Sequence, residues 1–392
     1  MQNFLTIFFV VLGSYLSAQQ MRIGVFYSKK ISNLTLQVSS GEYRIFGDTT
    51  FLNIIGSGES INFKASGSTI FVTQTGRDVG RFKKVSLIPV KNNSSLKYSP
   101  KQPVLKARIY EDGVDVSIAK SRLRIVNIVD MEDYLSGVIE SEGGGGKHLD
   151  YYKVQAVMSR TYALKNKKRH HKESFELCDG IHCQAYHKKL TYTPIIRKAV
   201  KETQGEVLVD ANNQLVTSYF SANCGGQTTD ASYVWNTSVP YIESFIDTFC
   251  IHTRQATWTK KISKSSWKSF LNAKFSVTEE QVGDLLYNFE QQQRKAFYIH
   301  PSLGIPLRDI RKKFRLKSIF FSSHLEGEYV VLEGRGFGHG VGLCQEGAMN
   351  MATNEFSYRQ IARFYFKDVR VINYYKVLYF DQENIEGERD GS

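Results

Sequence analysis

The period of the hydrophobic pattern changes once along this chain, at Asp130, and that change limits the folds open to it. Before it, from Met21 to about Val129, the sequence reads as short strands. Thr69-Ile70-Phe71-Val72 and Leu123-Arg124-Ile125-Val126 are β-branched or apolar runs, separated by the turn formers Gly56-Ser57-Gly58, Gly67-Ser68 and Asn92-Asn93-Ser94-Ser95. After it, Met131, Leu135, Val138 and Glu142 follow helical spacing, with Asp130 as a suitable N-cap and Gly143 just past the end. A second helix is expected over about 150–167, on a stripe of Val154, Val157, Thr161 and Leu164, and ends in basic residues. Thr193-Pro194 opens a third helix that Gly205 closes. Further on, the pattern predicts a hairpin from Glu206 to Phe220 around Asp210–Asn213, helical stretches near 265–270 and 279–293, a second hairpin around Glu326-Gly327, and a last helix from Tyr358 to Phe366. The fold class is α+β: a β-rich N-terminal region, then a mixed α/β domain with several hairpins and a few helices. No internal repeat is visible.

The first residues carry an apolar run, Phe4 to Leu12, followed by Gly13, Ser14 and Ser17-Ala18-Gln19. It is too short to span a bilayer and ends in small residues, as an export signal cleaved after Ala18 does. No later segment is long and apolar enough to cross a membrane. A net charge of +13 would draw an exported protein to polyanions such as wall polymers. Nucleic acid is disfavoured as a partner, because no recognition helix, zinc finger or RNA-binding signature is present. The five cysteines are too few for a disulfide scaffold.

Three clusters could carry chemistry. Glu142 continues the apolar face of its helix, whereas Glu140 points to roughly the opposite side. Burial and the negative helix end both raise a carboxyl's pKa, which suits an acid acting near neutral pH; pairing with Arg160 is the structural alternative. In Gly334-Arg-Gly-Phe-Gly-His-Gly-Val-Gly342, glycine at every second position lets a ligand approach main-chain amides, or lets two chain segments pack tightly. His339 between glycines would be accessible. Cys178, His182 and Cys183 offer two thiolates and an imidazole, so a local disulfide and a Zn²⁺ site both remain open. Cys224 could pair with Cys250 or approach the same site. His170-His171 lies in a basic run that reads as a solvated face. The G-x-S-x-G and H-E-x-x-H motifs of two hydrolase classes are absent.

Taken in order, these motifs resemble those of the stage II sporulation protein D family of peptidoglycan lytic transglycosylases, which also includes a modifier protein of an amidase. The matching stretches are Tyr134 to Glu142, Lys153 to Ala163, Cys178 to Tyr186, Gly205 to Val207, Ser221 to Thr228, Val234-Trp235, and Gly334 to Ala348. The chain then divides into 1–18 as signal peptide, 19–125 as N-terminal β-rich region, 126–380 as the catalytic domain that the resemblance implies, and 381–392 as a frayed acidic tail. It implies an exported enzyme of the periplasm or cell envelope that cleaves peptidoglycan glycan strands non-hydrolytically, with Glu142 as general acid and base. Arg160, Gln184, His339 and Gln345 would line the groove. No cofactor is required, although family members that bind zinc raise Cys178, His182 and Cys183 as ligands. A cell-wall amidase is an implied partner. Two alternatives are a non-catalytic wall-binding modifier and a hydrolytic glycosidase using Asp150 or Asp179 as second carboxylate. One departure is clear: where the family usually has Met-Pro after the glutamate, four glycines follow here.

Overall fold

A computed structural model describes residues 19–143 and 148–378. The expected signal peptide, most of the glycine run after Glu142 and the acidic tail lie outside the described residues. The chain forms two compact units, divided between Tyr134 and Leu135.

The first unit is built from antiparallel strands. In one sheet Gln20–Val25, Arg122–Asp130, Gly113–Ala119, Lys84–Pro89, Glu42–Gly47 and Thr50–Gly56 lie side by side. A second sheet runs in the order Arg108–Glu111, Ser95–Gln102, Asn33–Ser40, Ser60–Ser66, Thr69–Gln74, Arg77–Phe82. Alternate residues of these strands, such as Leu34, Leu36, Ile61, Phe63, Ile70 and Val72, are buried, as the period of two demands. Asp130 caps helix α1 (Met131–Gly143) as the sequence predicts: its Oδ1 accepts the N–H of Glu132 at 2.8 Å and of Asp133 at 3.4 Å.

The second unit is organised around helix α2 (Leu149–Lys165), which starts at His148. The residue pattern predicts one apolar stripe on this helix. The structure buries nearly its whole circumference, including Tyr151, Gln155, Ser159 and Arg160, so α2 is a central helix and its polar groups need internal partners. Thr161 meets this need through its hydroxyl, which donates to Val157 O at 2.6 Å and accepts from Leu208 N at 2.8 Å. Helix α3 (Ile195–Glu202) follows Pro194, and Gly205 adopts positive φ beyond its end, as expected.

The hairpin predicted from Glu206 is only partly formed. Asp210 makes the turn, but Glu206–Val209 pairs mainly with Arg370–Asn373, and Phe220–Ser221 runs parallel to Leu343–Cys344. Long-range partners on both strands displace the local pairing. The hairpin around Gly327 is present, with Thr257–Ser263 added as a third strand. Helix Lys264–Phe275 is longer than the predicted stretch, whereas the segment from Glu279 is helical only as far as Val282 before a 3-10 turn. Trp258, Trp267, Tyr287 and Tyr298 centre an aromatic core beneath these elements.

Candidate active site

Glu142 stands in the last turn of α1, half-buried. Two features of the sequence fix its surroundings. Gly137, one helical turn earlier, has no side chain, so the chain segment 185–188 passes directly over the helix: a Cβ there would lie 2.5 Å from Lys188 O and 2.6 Å from the Tyr186 ring. That close approach brings the Ala185 N–H to Glu142 Oε1, at 2.8 Å, while Oε2 has no hydrogen-bond partner among the described residues. Burial raises the carboxyl's pKa above the usual carboxylate range, and the Ala185 bond opposes this only in part. Glu142 is therefore oriented by one oxygen and disposed to hold a proton on the other.

Glu140 does separate work. Its carboxylate accepts the N–H groups of Thr191, Tyr192 and Thr193 at 3.0, 2.7 and 2.9 Å and pairs with Lys188 at 3.4 Å. The two acids flank one loop, and Glu140 is fully occupied in holding it. Asp150 accepts the Tyr358 N–H at 2.9 Å, and Asp179 is buried.

The same loop carries a donor cluster. His170, Cys178, His182 and Cys183 bring one ligand atom each within 4.8 Å of one another. Cys183 Sγ lies 3.5 Å from His170 Nε2, and His182 Nδ1 lies 3.8 Å from both sulfurs. Cys178 beside it lowers the Cys183 pKa to about 7, and the Cys178 pKa is raised in turn. Both cysteines are free thiols. The sequence reading missed His170. Its place in a basic run suggested a solvated position, but the ring is 4 % exposed, stacks on Phe175 and bonds Glu173 through Nδ1 at 2.8 Å, which leaves Nε2 facing the thiols. His171 is the exposed member of the pair.

The glycine segment packs against another part of the chain. Gly336 and Gly342 have φ of +76° and +70°, and a Cβ on them would lie 2.6 Å from Asn223 O and 2.3 Å from Tyr219 O. Close passage of two segments is therefore what requires these glycines. His339 is half-buried in consequence. Burial, with Arg311 and Arg294 nearby, lowers its pKa to about 4, and its Nδ1 accepts the Val341 N–H at 3.0 Å. The ring is neutral, with its proton on Nε2. Trp235 stacks on Tyr219 at 4.3 Å and meets His339 edge-on at 5.1 Å, and Trp235 remains 41 % exposed.

The remaining predicted residues are buried. Arg160 donates to Glu206 O at 3.0 Å and Val200 O at 3.4 Å, so it braces main chain, and Glu142 is held by Ala185 instead. Gln184 donates to Ser159 O at 3.4 Å. Gln345 begins the helix Gln345–Thr353, and its amide nitrogen has no acceptor among the described residues. Among the described residues the hydroxyl of Tyr151 likewise has no partner, and a Cβ on Gly143 would lie 3.1 Å from it. Only the tertiary fold identifies Tyr151, since in the sequence it is one aromatic among many.

Known proteins share much of this sequence. The family described as "Stage II sporulation protein" matches residues 119–209, which include α1, α2 and the Cys178–Tyr186 loop. An uncharacterised protein of Brachyspira hyodysenteriae is 30% identical over 258 residues, 64% of this chain and 69% of its own length. Stage II sporulation protein D of Bacillus subtilis is 26% identical over 281 residues, covering 66% of this chain and 79% of that protein. The amidase enhancer of Bacillus subtilis is 26% identical over 295 residues, 61% of this chain but 40% of that longer protein. This chain belongs to the stage II sporulation protein D family. Among the described residues no helix is long and apolar enough to cross a membrane.

Proposed function

We propose that this protein acts at the cell wall as an exported lytic transglycosylase, cutting peptidoglycan glycan strands between N-acetylmuramic acid and N-acetylglucosamine. One observation carries the reading: a half-buried carboxyl, raised in pKa, anchored by Ala185 through one oxygen and open on the other. Protonated Glu142 gives its proton to the glycosidic oxygen as the C1–O bond breaks. The resulting carboxylate takes the proton from the muramic C6 hydroxyl, whose oxygen closes on C1 to give a 1,6-anhydro ring. No water enters the products. One carboxyl suffices because the nucleophile belongs to the sugar, and this fits the engagement of Glu140 elsewhere. Trp235 and Tyr219 offer a face for a sugar ring.

No cofactor is needed for this step. The donor set nevertheless fits Zn²⁺: two thiols and two imidazoles in one small space are the ligand types that structural zinc takes. His170, Cys178, His182 and Cys183 would hold the ion, and its chemistry there would be structural, fixing the loop that presents Gln184 and Ala185. Export rests on the apolar run at the N-terminus.

A second reading has support in the relative named amidase enhancer and in the exposed aromatic face, which needs no catalysis to bind glycan. In it the protein binds wall glycan and modifies an amidase partner. Digestion of purified glycan strands, analysed by mass spectrometry, separates the readings. Fragments ending in 1,6-anhydro-muramic acid support the transglycosylase. Fragments carrying added water indicate a hydrolase, and binding without cleavage indicates the modifier.

A further inference from the structure

The other three cysteines meet away from the loop cluster, in a second group that the function above does not use. Cys224, Asp247, Cys250 and Cys344 place their ligand atoms within 4.8 Å of one another, and all four residues are buried. We propose that they form a closed four-ligand Zn²⁺ site that staples three segments of the second unit together. These segments are Phe220–Gly226, the turn Asp247–Cys250 and the start of the helix Gln345–Thr353.

Distances suit a metal better than a bond between sulfurs. Cys224 Sγ lies 3.4 Å from Cys250 Sγ and 3.2 Å from Asp247 Oδ2. With Zn–S distances near 2.3 Å, tetrahedral geometry sets sulfur–sulfur edges of about 3.8 Å, whereas a disulfide needs about 2.05 Å. The separation already approaches the tetrahedral edge.

Charge gives a second, independent reason. Asp247 is 0 % exposed. A carboxylate withdrawn from water needs a cation or neutralisation. The nearby buried cation, Arg294, does not supply it: its guanidinium donates to the main-chain oxygens of Cys224 and Gln227. Three thiolates and a carboxylate carry four negative charges. A divalent ion offsets two of them, and hydrogen bonds spread the remainder.

Those bonds are in place. Cys224 N–H donates to Cys344 Sγ at 3.2 Å, and Gly347 N–H donates to the same sulfur at 3.4 Å. Phe249 N–H donates to Asp247 Oδ1 at 3.0 Å, and Tyr365 donates its hydroxyl to Oδ2 at 3.0 Å. Such outer partners orient metal ligands. Gly347 permits the approach, since a Cβ there would lie 2.8 Å from Asp247 Oδ2 and 2.2 Å from Tyr365 Oη. With four protein ligands no coordination position is left for substrate, so the site is structural.

The test uses the full chain with Cys178→Ser and Cys183→Ser, in which every remaining thiol belongs to this group. Purified without chelator, that variant should retain about one zinc per chain, the wild type about two. Exchange of Zn²⁺ for Co²⁺ should give sulfur-to-cobalt charge-transfer absorption with tetrahedral d–d bands, lost on adding Cys344→Ser. The proposal fails if the variant folds without metal. It fails in one way if Cys224 and Cys250 are joined, seen as an intact mass about two units below the reduced form. It fails in another if the folded, metal-free variant carries all three as free thiols. Should the double variant not fold, Cys344→Ser in the otherwise wild-type chain decides: loss of about one zinc per chain relative to wild type supports the site, and an unchanged zinc content overturns it.

Discussion

Replacing Glu142 by Gln should separate catalysis from folding, and the structure gives the size of each effect. Gln keeps an oxygen where Oε1 accepts the Ala185 N–H. A hydrogen bond to a charged group is worth about 1.5–3 kcal/mol and a neutral one about 0.5–1.5, so the exchange costs on the order of 1 kcal/mol. Against that, burial disfavours the ionised carboxylate and raises its pKa. A group with a raised folded-state pKa contributes stability that is full below its unfolded pKa and is lost as pH rises through the folded one. The uncharged amide carries no such burial penalty, which offsets the weaker bond. The variant should therefore melt within about 4 °C of wild type at neutral pH, and its stability relative to wild type should decline as pH falls through the raised pKa. Activity should drop by about 10²–10⁴-fold or more, on the order of 3–5 kcal/mol in barrier, because one group serves as both acid and base. Thermal melts across pH, together with release of anhydro-muropeptides from glycan strands, measure both. Retained cleavage, or a loss of stability well beyond 2 kcal/mol at neutral pH, would refute the assignment.

Three other outcomes follow from the same geometry. Cleavage should persist above the ordinary carboxylate range and fall as pH rises through the raised Glu142 pKa, with no histidine step between about pH 5 and 8, because His339 titrates near 4; a step in that window abolished by His339→Gln would count against a neutral His339. Gly137→Ala, which stabilises most helices by about 0.5–1 kcal/mol, should here destabilise by about 1–2 kcal/mol, since the methyl meets Lys188 O and the Tyr186 ring; a denaturant midpoint at or above wild type would show that the loop yields freely. Trp235→Ala should leave the melting temperature nearly unchanged and weaken binding to glycan strands about tenfold, as expected for loss of a stacking face worth about 1.4 kcal/mol; equal binding would remove the aromatic face from the site.

The sequence by itself determined the local elements and the order of the chemistry-bearing residues. Asp130 as cap, the stripe through Leu135 and Val138, Pro194 before α3 and Gly327 in its hairpin are short-range signals, and each element formed where its signal lay. The place of Glu142 in the last turn of α1 was legible for the same reason, but helix phase did not separate the two acids: the Glu140 side chain is buried too and holds the same loop. Contacts between distant segments were beyond such reasoning, because their free energy depends on partners that the local pattern does not contain. The strand after Gly205 found Arg370–Asn373 in place of its neighbour, α2 became buried on all sides, and His170 left its basic run to face two thiols. The alternating glycines left two uses open, and only packing against Tyr219–Gly225 decided between them. The same parallel pairing of Phe220–Ser221 with Leu343–Cys344 carries Cys224 to Cys344 across more than a hundred residues. Closing so long a loop costs chain entropy that no short motif repays; the packed second unit as a whole does so, which is why the cysteine cluster appears only in the folded protein.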